Sequence, residues 1–304
     1  MNNIQNINKE IEAKDVQKGI WKPETISEID YKSRYGKHRI RGCGATRYMP
    51  NFDDLMILPS QLSRMPIDTY RENCETRTVL GHRFAKKPLV IETPIMIAGM
   101  SYGALSKEAK IALAKATALT GTVVSNGEGG LLAEERENSY RQSVQILATR
   151  FGFSRKNLKE ADMLEFVIGI GAKPGICGHL MGSKITRDIA QMRQLPIGID
   201  LHSHPRHADA LGPDDMVVKI EELRELTNWE TPIFVKISAG RVRDDVKIAV
   251  KIGVDGIILD GAQAGTGAAP VMATNHLGIP TLPALVEAVK TLDEMGVKDE
   301  MSLI

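Results

Sequence analysis

Two textures divide the chain. Residues 1 to about 87 show little hydrophobic periodicity, many charges, and prolines at Pro23, Pro50, Pro59 and Pro66. That pattern predicts an irregular N-terminal segment (1–87) with short helices, wrapped against a main domain of residues 88–304. From Pro88 onward, short continuous apolar runs alternate with stretches of helical spacing. The runs are Pro94–Gly99, Thr122–Ser125, Phe166–Ile170, Ile197–Leu201, Ile233–Ile237 and Gly256–Asp260. Helices are predicted after Ser106, with apolar positions Ala109, Leu113, Ala116 and Leu119, and over Glu134–Leu147, Thr186–Met192, Pro213–Leu226 and Asp244–Ile252. A last one covers Leu282–Met295, with Leu285, Val286, Val289 and Leu292 as its apolar positions. Ser106 suits a helix N-cap, and Pro213 with Asp214 and Asp215 suits a helix start.

Strands alternating with helices imply parallel pairing with right-handed crossovers, and continuous apolar runs imply strands buried on both faces. Met301–Ile304 reads as the start of a seventh strand. Seven starts exceed a small doubly wound domain and fall one or two short of a (β/α)8 barrel. The expected fold class is therefore α/β, a TIM-type (β/α)8 barrel cut short in or near its seventh strand. An open α/β sheet is the alternative.

Composition narrows the function classes. With 304 residues, 42% hydrophobic and 25% charged, the chain is an ordinary globular sequence. A net charge of +1 gives no argument for nucleic acid. No apolar run is long enough to suggest a membrane span, and the polar stretch Met1–Glu12 has no signal-peptide core. Cys43, Cys74 and Cys177 are widely spaced, so neither a disulfide framework nor a zinc site is expected, and a cytoplasmic setting follows. The basic cluster Lys37, His38, Arg39 and Arg41 is read as a solvated face.

Chemistry gathers at the predicted strand ends, where barrel active sites are built. The first run leads into Met100-Ser-Tyr-Gly-Ala104, and the second into Asn126-Gly-Glu-Gly-Gly130, with Glu128 flanked by glycines. The third leads into Gly171-Ala-Lys-Pro-Gly-Ile-Cys-Gly-His-Leu-Met-Gly182, a glycine-rich loop with Lys173 at its mouth, suited to an anion. The fourth leads into His202-Ser-His-Pro-Arg-His207, the fifth contains Lys236, and the sixth leads into Asp260-Gly-Ala-Gln-Ala-Gly-Thr-Gly-Ala268. A single glycine-rich turn is usually only a turn. Three histidines within six residues lack the carboxylate or cysteine pattern of a metal centre, so no metal is expected. The coincidence of these features at successive strand ends favours an enzyme site.

Taken together, MSYGALS (100–106), NGEGG (126–130), RFGFS (150–154), GAKPG (171–175), VKISAG (235–240) and DGAQAGTGAAP (260–270) resemble the FMN-binding domain of the glutamate synthases. The stretch 52–88 resembles stand-alone members, above all large subunits of the N-methylglutamate synthase type. The resemblance implies an FMN-dependent reductive amination of 2-oxoglutarate, in which a hydride from reduced FMN reaches a 2-imino acid. It carries cofactor contacts onto Met100, Ser101, Gly103, Asn126, Lys173, Lys236, Asp260, Gly265, Thr266 and Gly267. It carries catalytic roles onto Lys173 and Glu128, and substrate contacts onto Lys173, Arg193 and His179. Glu128 matches a glutamate near the point where ammonia enters. Departures bear on the substrate. His179 and Ile170 stand where the family has glutamines, and Ile176 and Cys177 stand where small or acidic residues are usual. Methylamine or another small amine thus joins ammonia as a candidate donor. The family's iron–sulfur cluster is expected only in sequence beyond this chain or in a partner. A glutaminase-like or electron-donating partner subunit and an oligomeric assembly are also implied. Another FMN-dependent oxidoreductase or isomerase on the same barrel, or an inactive partial subunit, stays open as an alternative.

Overall fold

Backbone chemistry at the N-terminal end already shows how the first segment is held. The structure, a computed structural model, describes residues 21–40, 42 and 44–304. Met1–Glu12, Arg41 and Cys43 lie outside the described residues. Helix α1 (Pro23–Tyr35) starts on a proline and ends on Gly36 in the left-handed region. Arg39 turns back onto it, 3.4 Å from Glu28 and stacked on Tyr31, so this part of the basic cluster is a tether rather than a solvated charge. A strap then runs along the far end of the chain. Ile40 bridges to Pro270, Val271 N–H donates to the Arg39 carbonyl, and Thr46 N–H donates to Asn275 Oδ1 across 229 residues. After the 3-10 turn Phe52–Asp54, strands β1 (Thr78–Leu80) and β2 (Leu89–Ile91) form an antiparallel hairpin.

The remaining elements alternate. They are α2 (Lys107–Thr120), β3 (Val123–Ser125), α3 (Ala133–Asn138), β4 (Arg141–Ile146), α4 (Arg155–Lys159) and β5 (Met163–Val167). Next come β6 (His179–Leu180), α5 (Arg187–Arg193), β7 (Leu201–His202), α6 (Pro213–Leu226), β8 (Ile233–Ser238) and α7 (Val242–Lys251). The described chain closes with β9 (Gly256–Asp260), α8 (Val271–His276), α9 (Thr281–Glu294) and β10 (Ser302–Leu303). A six-stranded parallel sheet runs in the order β10-β9-β8-β5-β4-β3, and Ile97 extends it through a parallel bridge to Val124. It is a curled arc of a TIM-type barrel, and β6 with β7 form a separate antiparallel hairpin.

Two expected elements change places. Glu134–Leu147 is not one helix: α3 stops at Asn138, and Arg141–Ile146 is the strand β4. Val144 and Ile146 face the helices, while Ser143 and Gln145 bond to the neighbouring strand, a period of two. Conversely, Ile197–Leu201 is not a barrel strand. Ile197 and Ile199 are exposed, Gly198 has φ +78°, and only Leu201–His202 pairs, with β6. The buried face of α2 is Lys110, Ala114 and Thr117, one residue round from the expected stripe, and Leu119 is exposed. In α9 the buried positions are Ala284, Ala288, Thr291 and Leu292, with Val286 outside. Helix α6 has the expected bounds.

Alternation along each strand sorts two cores. Leu164, Phe166, Val235, Ile257 and Leu259 face the helices together with Ile220, Val246 and Leu292. Val123, Met163 and Phe234 face the barrel interior and meet Leu80, Leu89 and Ile91 of the hairpin, which plugs the end of the barrel opposite the strand C-termini. Asp255 rivets that plug. It is fully buried, accepts from the backbone N–H of Phe84 (2.8 Å), Ala85 (3.1 Å) and Ile233 (2.7 Å), and pairs with Arg224 at 3.1 Å. Among the described residues, no helix is long and apolar enough to cross a membrane.

Removing one partner of a buried ion pair strands the other charge. Asp255→Ala is therefore expected to lower unfolding stability by about 3–5 kcal/mol in urea titrations. A loss below about 1 kcal/mol would show that Arg224 and the freed amides find other partners.

Candidate functional site

The strand C-termini carry loops that touch backbone to backbone. A Cβ on Gly171 would sit 1.9 Å from the Gly261 carbonyl oxygen, so the loop after β5 can meet the loop after β9 only with glycine there. On the other side, the loops after Ile97 and β3 are joined by Lys110. Its ammonium is 2% exposed and donates to the Met100 carbonyl (2.7 Å) and the Asn126 carbonyl (3.0 Å). Glu135 Oε1 lies 3.0 Å from the same nitrogen, yet both Glu135 oxygens are buried without a hydrogen bond. Burial therefore pushes the Glu135 carboxyl up to about 7, against the pull of Lys110. The same desolvation lowers the Lys110 pKa.

Asn126 spends its side chain on the fold. Its amide donates to the Gly130 carbonyl (3.0 Å), and its oxygen accepts from Gln145 N–H (2.8 Å), which sets the shape of the 126–130 loop. That shape delivers Glu128 to Lys173: Nζ lies 3.3 Å from Oε2, and Thr149 Oγ1 donates to Oε1 at 3.3 Å. The Lys173 side chain is 10% exposed and that of Glu128 21%, so the pair is sheltered but reachable. Gly178 makes the space, because a Cβ there would lie 2.4 Å from Lys173 Nζ. Beside the pair lies a cleft lined by Leu147, Thr149, Val167, Ile170 and Ile176.

Arg193 ends α5 and is 4% exposed. Its Nη2 donates to the carbonyls of Tyr102 (2.9 Å) and Glu128 (3.2 Å), and its Nε is buried without a partner. Burial lowers its pKa, and the Glu128 charge offsets part of that. Met100, Ser101 and Gly103 lie in the loop it braces; the Ser101 carbonyl accepts from Ala104 and Leu105, and Gly103 packs on Ile189.

Lys236 sits inside the barrel. Its side chain is 10% exposed and 3.6 Å from Asp260 Oδ2, and among the described residues it makes no hydrogen bond, so its ammonium keeps spare donors. Gly265, Thr266 and Gly267 follow β9; Thr266 Oγ1 accepts from Ala268 N–H, and the Ala268 carbonyl accepts from His179 N–H. The His179 ring is held elsewhere, 2.8 Å from Asp200 Oδ2 and stacked on His202 at 4.4 Å. His207 is buried, stacked on Phe166, with Nε2 2.9 Å from the Val167 carbonyl. The His202–His207 segment therefore follows the small hairpin, not a barrel strand.

The fold thus brings together Glu128 and Lys173 from two loops with Arg193 from the end of α5, and places Lys236 with Asp260 in the interior. It does not put His179 in contact with any of them. Lys110, Glu135, Gln145 and Glu165 are functional-end residues that the strand-end reading passed over. A lysine on the buried stripe of α2 and a glutamate inside an apolar run were the available signals.

Comparison with known proteins identifies one family over most of the chain. Residues 45–304 match the family model described as the conserved region in glutamate synthase. A glutamate synthase large subunit-like protein of Rhizobium meliloti is 46% identical over 280 residues, covering 92% of this chain and 63% of that protein. An archaeal-type glutamate synthase (NADPH) of Thermotoga neapolitana is 36% identical over 306 residues, covering 93% of this chain and 60% of that protein. An archaeal glutamate synthase (NADPH) of Methanocaldococcus jannaschii is 34% identical over 318 residues, covering 94% and 61%. The chain therefore spans under two thirds of the length of these relatives.

Glu135 sets a pH dependence. A free glutamate ionises near 4.5, whereas the folded chain holds this proton up to about 7. Between those values the folded state binds more protons than the unfolded one, so stability falls as pH rises through the window. Urea midpoints measured from about pH 4.5 to about pH 7 should decline for the native chain and stay flatter for Glu135→Gln. Parallel slopes for the two proteins would remove Glu135 as the cause.

Proposed function

This chain belongs to the glutamate synthase family, and we propose that it forms the flavin-binding part of an enzyme that converts 2-oxoglutarate to glutamate or an N-alkylglutamate by reductive amination. The observation that carries this reading is the meeting of Lys173 and Glu128, a cation and a carboxylate delivered to one sheltered point by loops after β5 and β3. An α-keto diacid needs a fixed cation for a carboxylate, and an incoming amine needs a proton acceptor within reach.

FMN fits the residues present. Lys236 offers an almost buried ammonium with unused donors, the group that stabilises negative charge on a reduced flavin ring. FMN, when bound, supplies the hydride that reduces the carbon–nitrogen double bond. Lys236 would hold the ring, with Asp260 orienting the ammonium. The loop of Gly265, Thr266 and Gly267 and the Met100–Gly103 turn would offer backbone N–H groups.

Condensation of the keto acid with an amine releases water, and the imine carbon then takes the hydride while its nitrogen takes a proton. Lys173 would hold a substrate carboxylate. Glu128 would take a proton from the amine as it adds and return one later. Arg193, committed through Nη2 to two carbonyls, would add charge and keep the loops in register. The apolar walls Ile170 and Ile176 beside Lys173 suit a small alkylamine as well as ammonia. Electrons for the flavin, and ammonia if that is the donor, would come from a partner subunit, in a water-soluble assembly of the cytoplasm.

The test begins with colour. The purified chain incubated with FMN should retain flavin absorbance, and Lys236→Ala should weaken that retention. Lys173→Ala should keep FMN but slow reoxidation of the reduced flavin by 2-oxoglutarate plus amine by about 100-fold. Running the assay with ammonia and with methylamine separates the two donors. A chain that stays colourless with FMN, or Lys173→Ala turning over normally, would sink the reading.

A further inference from the structure

The inward faces of β4 and β5 carry a polar network that the proposed chemistry leaves unused. Glu165 is 2% exposed in the middle of β5, and the strand register sets it beside Gln145. Ser143 Oγ donates to Glu165 Oε1 at 2.6 Å, and Gln145 Nε2 donates to Oε2 at 2.8 Å. Interior packing alone would favour an apolar residue at 165, as at Met163 two positions earlier on the same face. Among the described residues these two donors offset its cost, so the carboxylate is there for its neighbours.

The chemistry of that contact fixes an orientation. A carboxylate only accepts, so the Gln145 amide must present its NH2 to Glu165. The amide is planar, and its oxygen is therefore turned away from Glu165. Among the described residues Gln145 Oε1 has no hydrogen-bond partner, although Gln145 occupies the inward position of β4 nearest the strand C-terminus. Gly99 leaves room for this arrangement, since a Cβ there would lie 2.5 Å from Gln145 Nε2.

We propose that Glu165 is a positioning residue that locks the Gln145 amide so that the end of β4 offers a hydrogen-bond acceptor, not a donor, to a bound ring. Such a subsite takes a ring edge carrying an N–H group, which in a flavin is the imide N–H at position 3. The inference rests on the flavin reading above. It adds that selection at this edge is made by a residue that does not touch the ring. A neutral or apolar residue at 165 frees the amide to turn and removes the preference.

The probes are FMN and 3-methyl-FMN, whose imide nitrogen carries a methyl group in place of hydrogen. Binding of each to the full chain is read from quenching of flavin fluorescence, with circular dichroism as the fold check. The native chain should bind FMN at least about tenfold more tightly than 3-methyl-FMN, the effect of one hydrogen bond. Glu165→Leu should bring the ratio toward one. Glu165→Gln can pair with Gln145 in either orientation and should give an intermediate ratio. If Glu165→Leu does not fold, Glu165→Gln decides. An unchanged ratio in the folded variants, or equal binding of both flavins by the native chain, overturns the positioning role and leaves the flavin reading standing. Failure of the native chain to bind FMN overturns both.

Discussion

One buried ammonium organises the mouth of this barrel. Lys110 reaches from α2 to the carbonyls of Met100 and Asn126 and so ties the first two strand-end loops together. Asn126, once placed, bonds Gly130 and the backbone of Gln145, which folds the loop that carries Glu128. Glu128 then meets Lys173 through its carboxylate and Arg193 through its carbonyl. The sequence of dependencies runs outward from a buried residue on helix α2. Burial pushes the carboxyl of its partner Glu135 up, and the desolvation of such buried pairs offsets much of their mutual attraction.

The two ends of the arc obey different rules. At the strand N-termini, Met163 and Phe234 close on an apolar hairpin, and Asp255 satisfies the amides that the closure would orphan. At the C-termini the same inward positions turn polar: Gln145, Glu165, Lys236 and Asp260. Moving along one strand by two residues thus crosses from a layer that only packs to a layer with spare hydrogen-bonding capacity. A parallel sheet makes this division possible, because every strand end of one kind lies on one side.

Much of this was readable in the sequence, and the misses have physical causes. Pro213 followed by two aspartates marks a helix start in any context, and α6 came out with its expected bounds. The run Arg141–Ile146 was absorbed into a helix because its polar residues are bonded to neighbouring strands, Gln142 and Ser143 fully buried and Gln145 half-buried, a property no local pattern reports. Ile197–Leu201 has the composition of a strand but no neighbour to pair with, so its isoleucines stay outside. Glycine-rich loops at successive strand ends drew attention to Glu128 and Lys173, and the fold brings those two side chains within 3.3 Å. Glu165 and Lys110 gave no such notice; each is one charge inside an apolar face, and only the partner across the fold explains it.

The strap of residues 39–50 carries a consequence for the order of assembly. Its docking sites, Pro270, Val271 and Asn275, lie more than 200 residues further along the chain. On a ribosome the strap emerges well before its docking sites and finds nothing there to bind until β9 and α8 have been made. Contacts that span such separations form late, after the local βα units have condensed. The loop after β9 is thus sealed at the end of folding by a segment made more than 200 residues earlier. An intermediate stalled before that step would have its sheet complete and its mouth unfinished.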